Sequence, residues 1–284
     1  MKQIIPFSLL ISCIGLFLSC DKKKDTQTNT TNNIGQLPAQ SEYALLIDSG
    51  EIQINKNHLF LDFAGVPCLS VDTLIVPLVG DSKTILTFPY STVPEQICCF
   101  DDRSIYFLQD TCLKKVKNKN IEFSVPFPLK QMNISKAGEH GVYLYGFNPV
   151  TNMHDVYFVD KNENEMMKIL SDTLAVGAVI GTGQVSIVAL DSTVYFLKDG
   201  AMQPIFQSKN LINSLADCEV GIFYATDRNA GYFNNEGKTF VFYNRGVSKL
   251  MTYRDTLYLL DLFGRFAKIT GTNYFENLTD SITH

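Results

Sequence analysis

The chain has 284 residues, with 24 Lys plus Arg against 29 Asp plus Glu, a net charge of −5, and 20 Phe and 13 Tyr but no Trp. This acidic balance argues against a protein built to grip nucleic acid, because phosphate contacts require a basic surface. With 45% apolar and only 19% charged residues, the sequence can bury a sizeable core, and its aromatics favour strands.

The first segment is an export signal in layout. Lys2 supplies a positive start, Ile4 to Leu18 form an apolar run of about fifteen residues, and small Ser19 precedes Cys20. The run is shorter than the roughly 20 residues a membrane-spanning helix needs. Charge begins at once with Asp21-Lys22-Lys23-Lys24-Asp25. The segment resembles the lipobox of bacterial lipoproteins, with Phe17 where that motif prefers an aliphatic residue. The resemblance implies cleavage after residue 19 and acylation of Cys20, palmitate included; an ordinary secretory signal with an incidental cysteine is the alternative. Two or three acyl chains hold a protein to a bilayer where one holds it only marginally. The expected location is therefore the cell envelope, with the outer membrane, at its periplasmic or surface face, favoured over the inner. Removing residues 1–19 takes Lys2 and no acid, leaving 23 basic against 29 acidic side chains.

Residues 20–41 hold little apolar mass beyond the lipidated cysteine, so they read as a flexible tether with a reach of roughly 25 Å. Residues 42–284 then form one β domain. Of the seven cysteines, Cys68, Cys98, Cys99, Cys112 and Cys218 remain in it. Adjacent Cys98 and Cys99 would point to opposite faces of a strand, which favours small buried hydrophobes over a vicinal disulfide.

Helical periodicity is missing, and short apolar runs recur between Asp, Asn, Gly and Ser. The strongest start at Leu74, Ile105, Val142, Val185, Ile222 and Leu257, spaced by 31, 37, 43, 37 and 35 residues. That pitch is the pitch of a β-propeller blade. Ile134–Glu139, Val142–Phe147, Asp155–Val159 and Glu165–Ile169 are predicted as the four strands of one blade. Ala175–Ile180, Val185–Leu190, Thr193–Lys198 and Met202–Gln207 form the next, its last hairpin turning on Asp199-Gly200. Ile222–Thr226, Gly231–Phe233, Thr239–Tyr243, Leu257–Leu262, Arg265–Ile269 and Tyr274–Leu278 follow. The first unit is irregular: Val66–Val71, Leu74–Val79 and Lys83–Phe88 lack a clear fourth strand. Tyr43–Ile47, Glu51–Asn55 and Leu59–Phe63 precede it, one of them available to close the ring against the last blade. Six blades is the reading and seven the alternative; a β-sandwich pair or an open β-solenoid would also be all-β. The chain thus resembles bacterial lipoproteins carrying a six-bladed, NHL-like propeller, without the Gly-His and Trp-Asp signature of WD40 repeats.

Site chemistry is sparse. His58, His140, His154 and His284 show no ligand spacing. Asp160-Lys161-Asn162-Glu163-Asn164 mimics the start of a calcium loop, but Glu165 stands where the turn glycine belongs and Ser171 where a bidentate glutamate is needed, so a hairpin turn is expected. Gly181-Thr182-Gly183 precedes a strand and reads as a turn. The sequence assigns no catalytic residue, cofactor or metal. Asp101, Asp102, Arg103 and Arg254 follow inner strands and are candidate binding residues at one mouth of a central channel. Thr73, Thr173, Ser192, Thr256 and Ser281 follow aspartates in a pattern similar to an O-glycosylation acceptor of some diderm bacteria, and the same pattern initiates turns. The functional expectation is a non-enzymatic scaffold or protein-binding module with an envelope protein partner. A glycan-binding or glycan-cleaving surface lipoprotein is the alternative, the latter needing two carboxylates.

Overall fold

The computed structural model describes residues 59–61, 67–71, 74–77 and 86–87, and residues 96–270 except 101, 103, 110, 118–119, 184, 219–220, 235–236, 255 and 265. Every described element is a strand, and each sheet is an antiparallel meander in chain order. The first sheet holds β1 (Leu59–Leu61), β2 (Pro67–Val71), β3 (Leu74–Pro77) and β4 (Leu86–Thr87). The second holds β5 (Ile97–Cys99), β6 (Ser104–Gln109), β7 (Cys112–Lys117) and β8 (Asn120–Pro126). In the third are β9 (Lys130–Ala137), β10 (Gly141–Asn148), β11 (Met153–Asp160) and β12 (Met166–Asp172). The fourth comprises β13 (Val176–Gly181), β14 (Val185–Leu190), β15 (Thr193–Lys198) and β16 (Ala201–Gln207). The fifth comprises β17 (Ile212–Cys218), β18 (Gly221–Thr226), β19 (Ala230–Phe233) and β20 (Thr239–Tyr243). Three described strands, β21 (Val247–Tyr253), β22 (Thr256–Asp261) and β23 (Phe266–Thr270), make the last sheet.

The first strand of each sheet touches the first strand of the next, and β21 touches β1 in turn. The described sheets are therefore the blades of a β-propeller, their inner strands around a central axis. Leu59–Leu61, available in the sequence reading for closing the ring, pairs instead with β2 of its own sheet, Leu59 opposite Leu69 and Leu61 opposite Pro67. It supplies the fourth strand that the first unit lacked. Tyr43–Ile47, Glu51–Asn55 and Tyr274–Leu278 lie outside the described residues.

The second strands are apolar without alternation because both their faces are buried. In β10, Val142 and Leu144 enter the core shared with the second sheet, while Tyr143 and Tyr145 enter the core shared with the fourth. In β18, Ile222 and Tyr224 pack toward the fourth sheet, and Phe223 and Ala225 toward the last. Each such side chain contributes roughly 1.5–3 kcal/mol by leaving water, so packing between blades holds the ring together. Inner strands are also tied directly. Ser135 Oγ donates to the Val179 carbonyl at 2.6 Å, Leu250 N donates to Ser214 Oγ at 3.0 Å, and Thr252 Oγ1 donates to the Asp217 carbonyl at 2.5 Å.

A meander gives the ring two distinct ends. Inner strands begin at one, the entry end, which also carries the turns between second and third strands. The exit end carries the turns between first and second strands and between third and fourth. Near the entry end the inner strands of the last three sheets bulge at matching places: the register slips between Val176 and Ala178, Ile212 and Ser214, and Val247 and Lys249.

Candidate functional site

The third sheet carries a slip of its own at the same end. Between β9 and β10 the register slips from Tyr145 opposite Asn133 to Phe147 opposite Lys130. β9 gains one residue there, so that Gln131, held at φ 51° in the left-handed region, and Met132 together stand opposite Gly146. Non-glycine residues at such φ cost of the order of 1 kcal/mol or more and persist where the surroundings impose them. Gly146 opposite makes room: a Cβ there would stand 2.8 Å from the Lys130 carbonyl oxygen.

Beside this irregularity, at the entry end of the seam between the second and third sheets, lies a cavity of about 440 Å³ lined by Gln96, Leu108, Thr111, Leu129, Lys130, Gln131 and Met132. Gln96 crosses the seam, its Nε2 donating to Asn133 Oδ1 at 3.3 Å and its Oε1 accepting the Ile134 N–H at 3.4 Å. These are long contacts, so the seam is loosely closed at this end. Phe127 N donates to the Thr111 carbonyl at 3.0 Å, fixing the turn that forms one wall. The lining combines two amides, a hydroxyl and an ammonium with three apolar side chains. Such a surface suits a polar chain with apolar substituents. No lining residue is a carboxylate, so the acid–base pair of glycan cleavage is not in this cavity.

The exit end of the same seam is sealed by charge and rings. Phe100, fully buried, has the ammonium of Lys136 at 4.8 Å and that of Lys161 at 4.9 Å from its ring centre. Glu139 takes both cations, at 2.5 and 3.7 Å. Lys115, itself buried, donates to the Lys161 carbonyl at 2.8 Å and to Asn164 Oδ1 at 3.2 Å, with Glu122 at 3.6 Å. The seam is thus fastened below and open above.

Of the residues singled out from the sequence, Asp102 and Arg254 both lie in first-to-second-strand turns at the exit end, as their positions after inner strands imply. Among the described residues no hydrogen bond or ion pair joins the two. Asp102 accepts from Ser104 Oγ at 2.6 Å and from Lys117 Nζ at 3.0 Å, while Arg254, at φ 54°, stacks on Tyr253 at 5.2 Å. Burial alone would raise the Asp102 carboxyl, but the Ser104 and Lys117 bonds outweigh it and hold the group below the usual range. Asp101 and Arg103 lie outside the described residues, as do Cys20, Thr73 and Ser281. Thr173 is exposed, and Ser192 and Thr256 are half-buried. Asp172 Oδ1 accepts the Leu174 N–H at 2.9 Å, a turn closed by the aspartate's own side chain. Asp160 Oδ1 likewise accepts from Asn162 N and Glu163 N, closing the expected hairpin turn. Cys98 and Cys99 enter cores on opposite sides of β5, as small buried hydrophobes do.

The sequence reading missed Gln96, Gln131 and the buried Asp155. The signal for Gln131 was a polar Lys130-Gln131-Met132 start to a strand whose counterparts start Val176-Gly177, Ile212-Asn213 and Val247-Ser248.

No protein-family model and no curated protein matches the chain. Solved structures do. A gluconolactonase from Xanthomonas campestris superposes with TM-score 0.56 at 9% identity, covering 83% of this chain and 95% of that one. A chain of the mitotic checkpoint complex gives TM-score 0.53 at 10% identity over 92% of this chain and 82% of its own. The WD40 β-propeller domain of Doa1 gives 0.53 at 10% identity over 77% and 79%. At these identities the likeness is one of fold, and it is the propeller fold.

Proposed function

We propose that this chain is a lipid-anchored β-propeller of the cell envelope that acts as a non-enzymatic module, holding a partner protein at the membrane. One observation carries the binding role: the cavity opens beside the register slip at the start of β9, where the chain holds Gln131 in the left-handed region at an energetic cost. The amides of Gln96 and Gln131 offer donors and acceptors to the main chain of an extended partner segment. Leu108, Leu129 and Met132 take its apolar side chains, and Lys130 selects for an acidic one. Acylated Cys20 supplies the anchor, the outer membrane is the favoured location, and the exposed Thr173 is the best placed of the candidate glycosylation positions.

The test is isolation of the native protein from solubilised envelopes, alongside Thr111→Trp, which fills the cavity. The reading expects one stoichiometric partner with the native chain and its loss with Thr111→Trp. A native chain recovered alone would contradict it. Mass spectrometry of the N-terminal peptide checks the anchor separately: Cys20 carrying acyl chains is expected, and an unmodified peptide would remove that part.

A further inference from the structure

The two ends of the ring differ in what they show to solvent. At the entry end Val150, Leu174, Leu211, Leu262 and Phe263 are exposed, with Val150 at 83%, Phe263 at 77% and Leu211 at 62%. All sit in turns between second and third strands or in connections between sheets. The remaining exposed large apolar residues lie on outer strands at the rim, and among the described residues none is in an exit-end turn. Charge divides the same way. The exposed cations of the entry end are Lys130, Lys209, Arg228 and Arg245, and Asp227 is its one exposed acid among the described residues. The exit end exposes Asp102, Glu139, Glu163, Glu165, Asp199 and Asp217 against Lys198 and Arg254.

We infer that the entry end docks flat on an anionic lipid bilayer. Apolar turn tips set among cations are the chemistry of an interfacial membrane surface: the tips enter the headgroup region and each nearby Lys or Arg is drawn to negative lipid. Among the described residues the entry end exposes four cations and one acid and the exit end six acids and two cations, a polarity that turns the entry end toward negative charge and the exit end away from it. The covalent path agrees. β1 is an inner strand, so its first residue, Leu59, lies at the entry end, and residues 1–58 join the ring there. A flat docked ring would bring the seam cavity to the lipid surface, where a juxtamembrane segment of a partner runs. The inference stands on the ring's own surface and does not need Cys20 to be acylated.

The lack of Trp makes the test direct. Phe263→Trp and, separately, Leu211→Trp place a single indole at the entry end, and Glu163→Trp places one at the exit end. Each is made in the full mature chain and mixed with phosphatidylcholine vesicles with or without phosphatidylglycerol. The entry-end indoles should shift to the blue and be quenched by brominated lipid only when phosphatidylglycerol is present, and the exit-end indole should do neither. Lys209→Gln with Arg228→Gln should weaken the response by about tenfold or more. Entry-end indoles that stay water-like while the chain sediments with vesicles would overturn the inference and leave the acyl anchor standing. Docking that washes off in high salt would support the inference and contradict the anchor. A blue shift seen only with added envelope proteins would make the occupant a protein and overturn it too.

Discussion

The Asp155 carboxylate accepts a hydrogen bond from Ser171 Oγ at 2.6 Å, joining β11 to β12 from a position with no solvent exposure. Asn148 Nδ2 at 2.8 Å, Lys168 Nζ at 3.0 Å and, at longer range, the Tyr157 hydroxyl at 3.4 Å also donate to it. Burial alone would raise this carboxyl, but the bonds from Ser171, Asn148 and Lys168 outweigh it and keep the group below its ordinary value of 3.8. A depressed folded value means that the stabilisation is fully present above the unfolded value and is lost as pH falls through the folded one. Asp155→Asn places an amide N–H against existing donors and should cost about 2–4 kcal/mol at neutral pH. Thermal melts should show the native chain losing stability below pH 4, and the variant should lack that part of the loss.

Gly177 in β13 is set against the next blade: a Cβ there would stand 1.7 Å from the Ile212 carbonyl oxygen. Backbone cannot yield as a flexible side chain does. Gly177→Ala should cost about 3 kcal/mol, a drop in melting temperature of about 6–12 °C. A variant melting with the native chain would show that the inner strands are not packed this closely.

Much of this architecture was legible in the sequence, and the exceptions share a cause. β10, β18 and β22 hold continuous apolar runs and β14 is interrupted only by Ser186, so they stood out and gave the repeat. The inner strands β17 and β21 received no bounds: Asn213, Ser214 and Asp217, and Ser248, Lys249 and Thr252, are polar residues serving bulges and strand-to-strand bonds. β7 was hidden by Lys114, Lys115 and Lys117, of which Lys115 is buried by bonds that only the folded third sheet provides. The cavity was illegible for a related reason: it is formed by residues 96, 108, 111 and 129–132, joined only when two sheets meet.

Gln131 is a position where stability and the proposed role should separate. Its φ of 51° suits glycine, so Gln131→Gly should be neutral or about 1 kcal/mol more stable. Gln131→Val, β-branched at the same φ, should lose about 1–2 kcal/mol. Chemical denaturation of the pair reads this order directly; equal stabilities would mean that the strand start relaxes out of the left-handed region.

Burial pushes the Cys98 thiol from 9.0 up to about 12, against the opposing pull of Lys249 and Lys136. A raised folded value gives a contribution that is whole below pH 9 and lost as pH rises toward 12. Iodoacetamide at pH 8 should therefore label half-buried Cys112 well before Cys68, Cys98 and Cys99. Peptide mapping that finds Cys98 labelled first would place it outside the core described.

The central claim is that the seam cavity grips a partner, and a photo-crosslinking residue at position 131 in living cells tests it most directly. One discrete protein adduct is expected from position 131 and none from a matched probe at Glu163. Adducts of equal kind and yield from both positions, or none from position 131 in cells whose envelopes hold the protein, would contradict it.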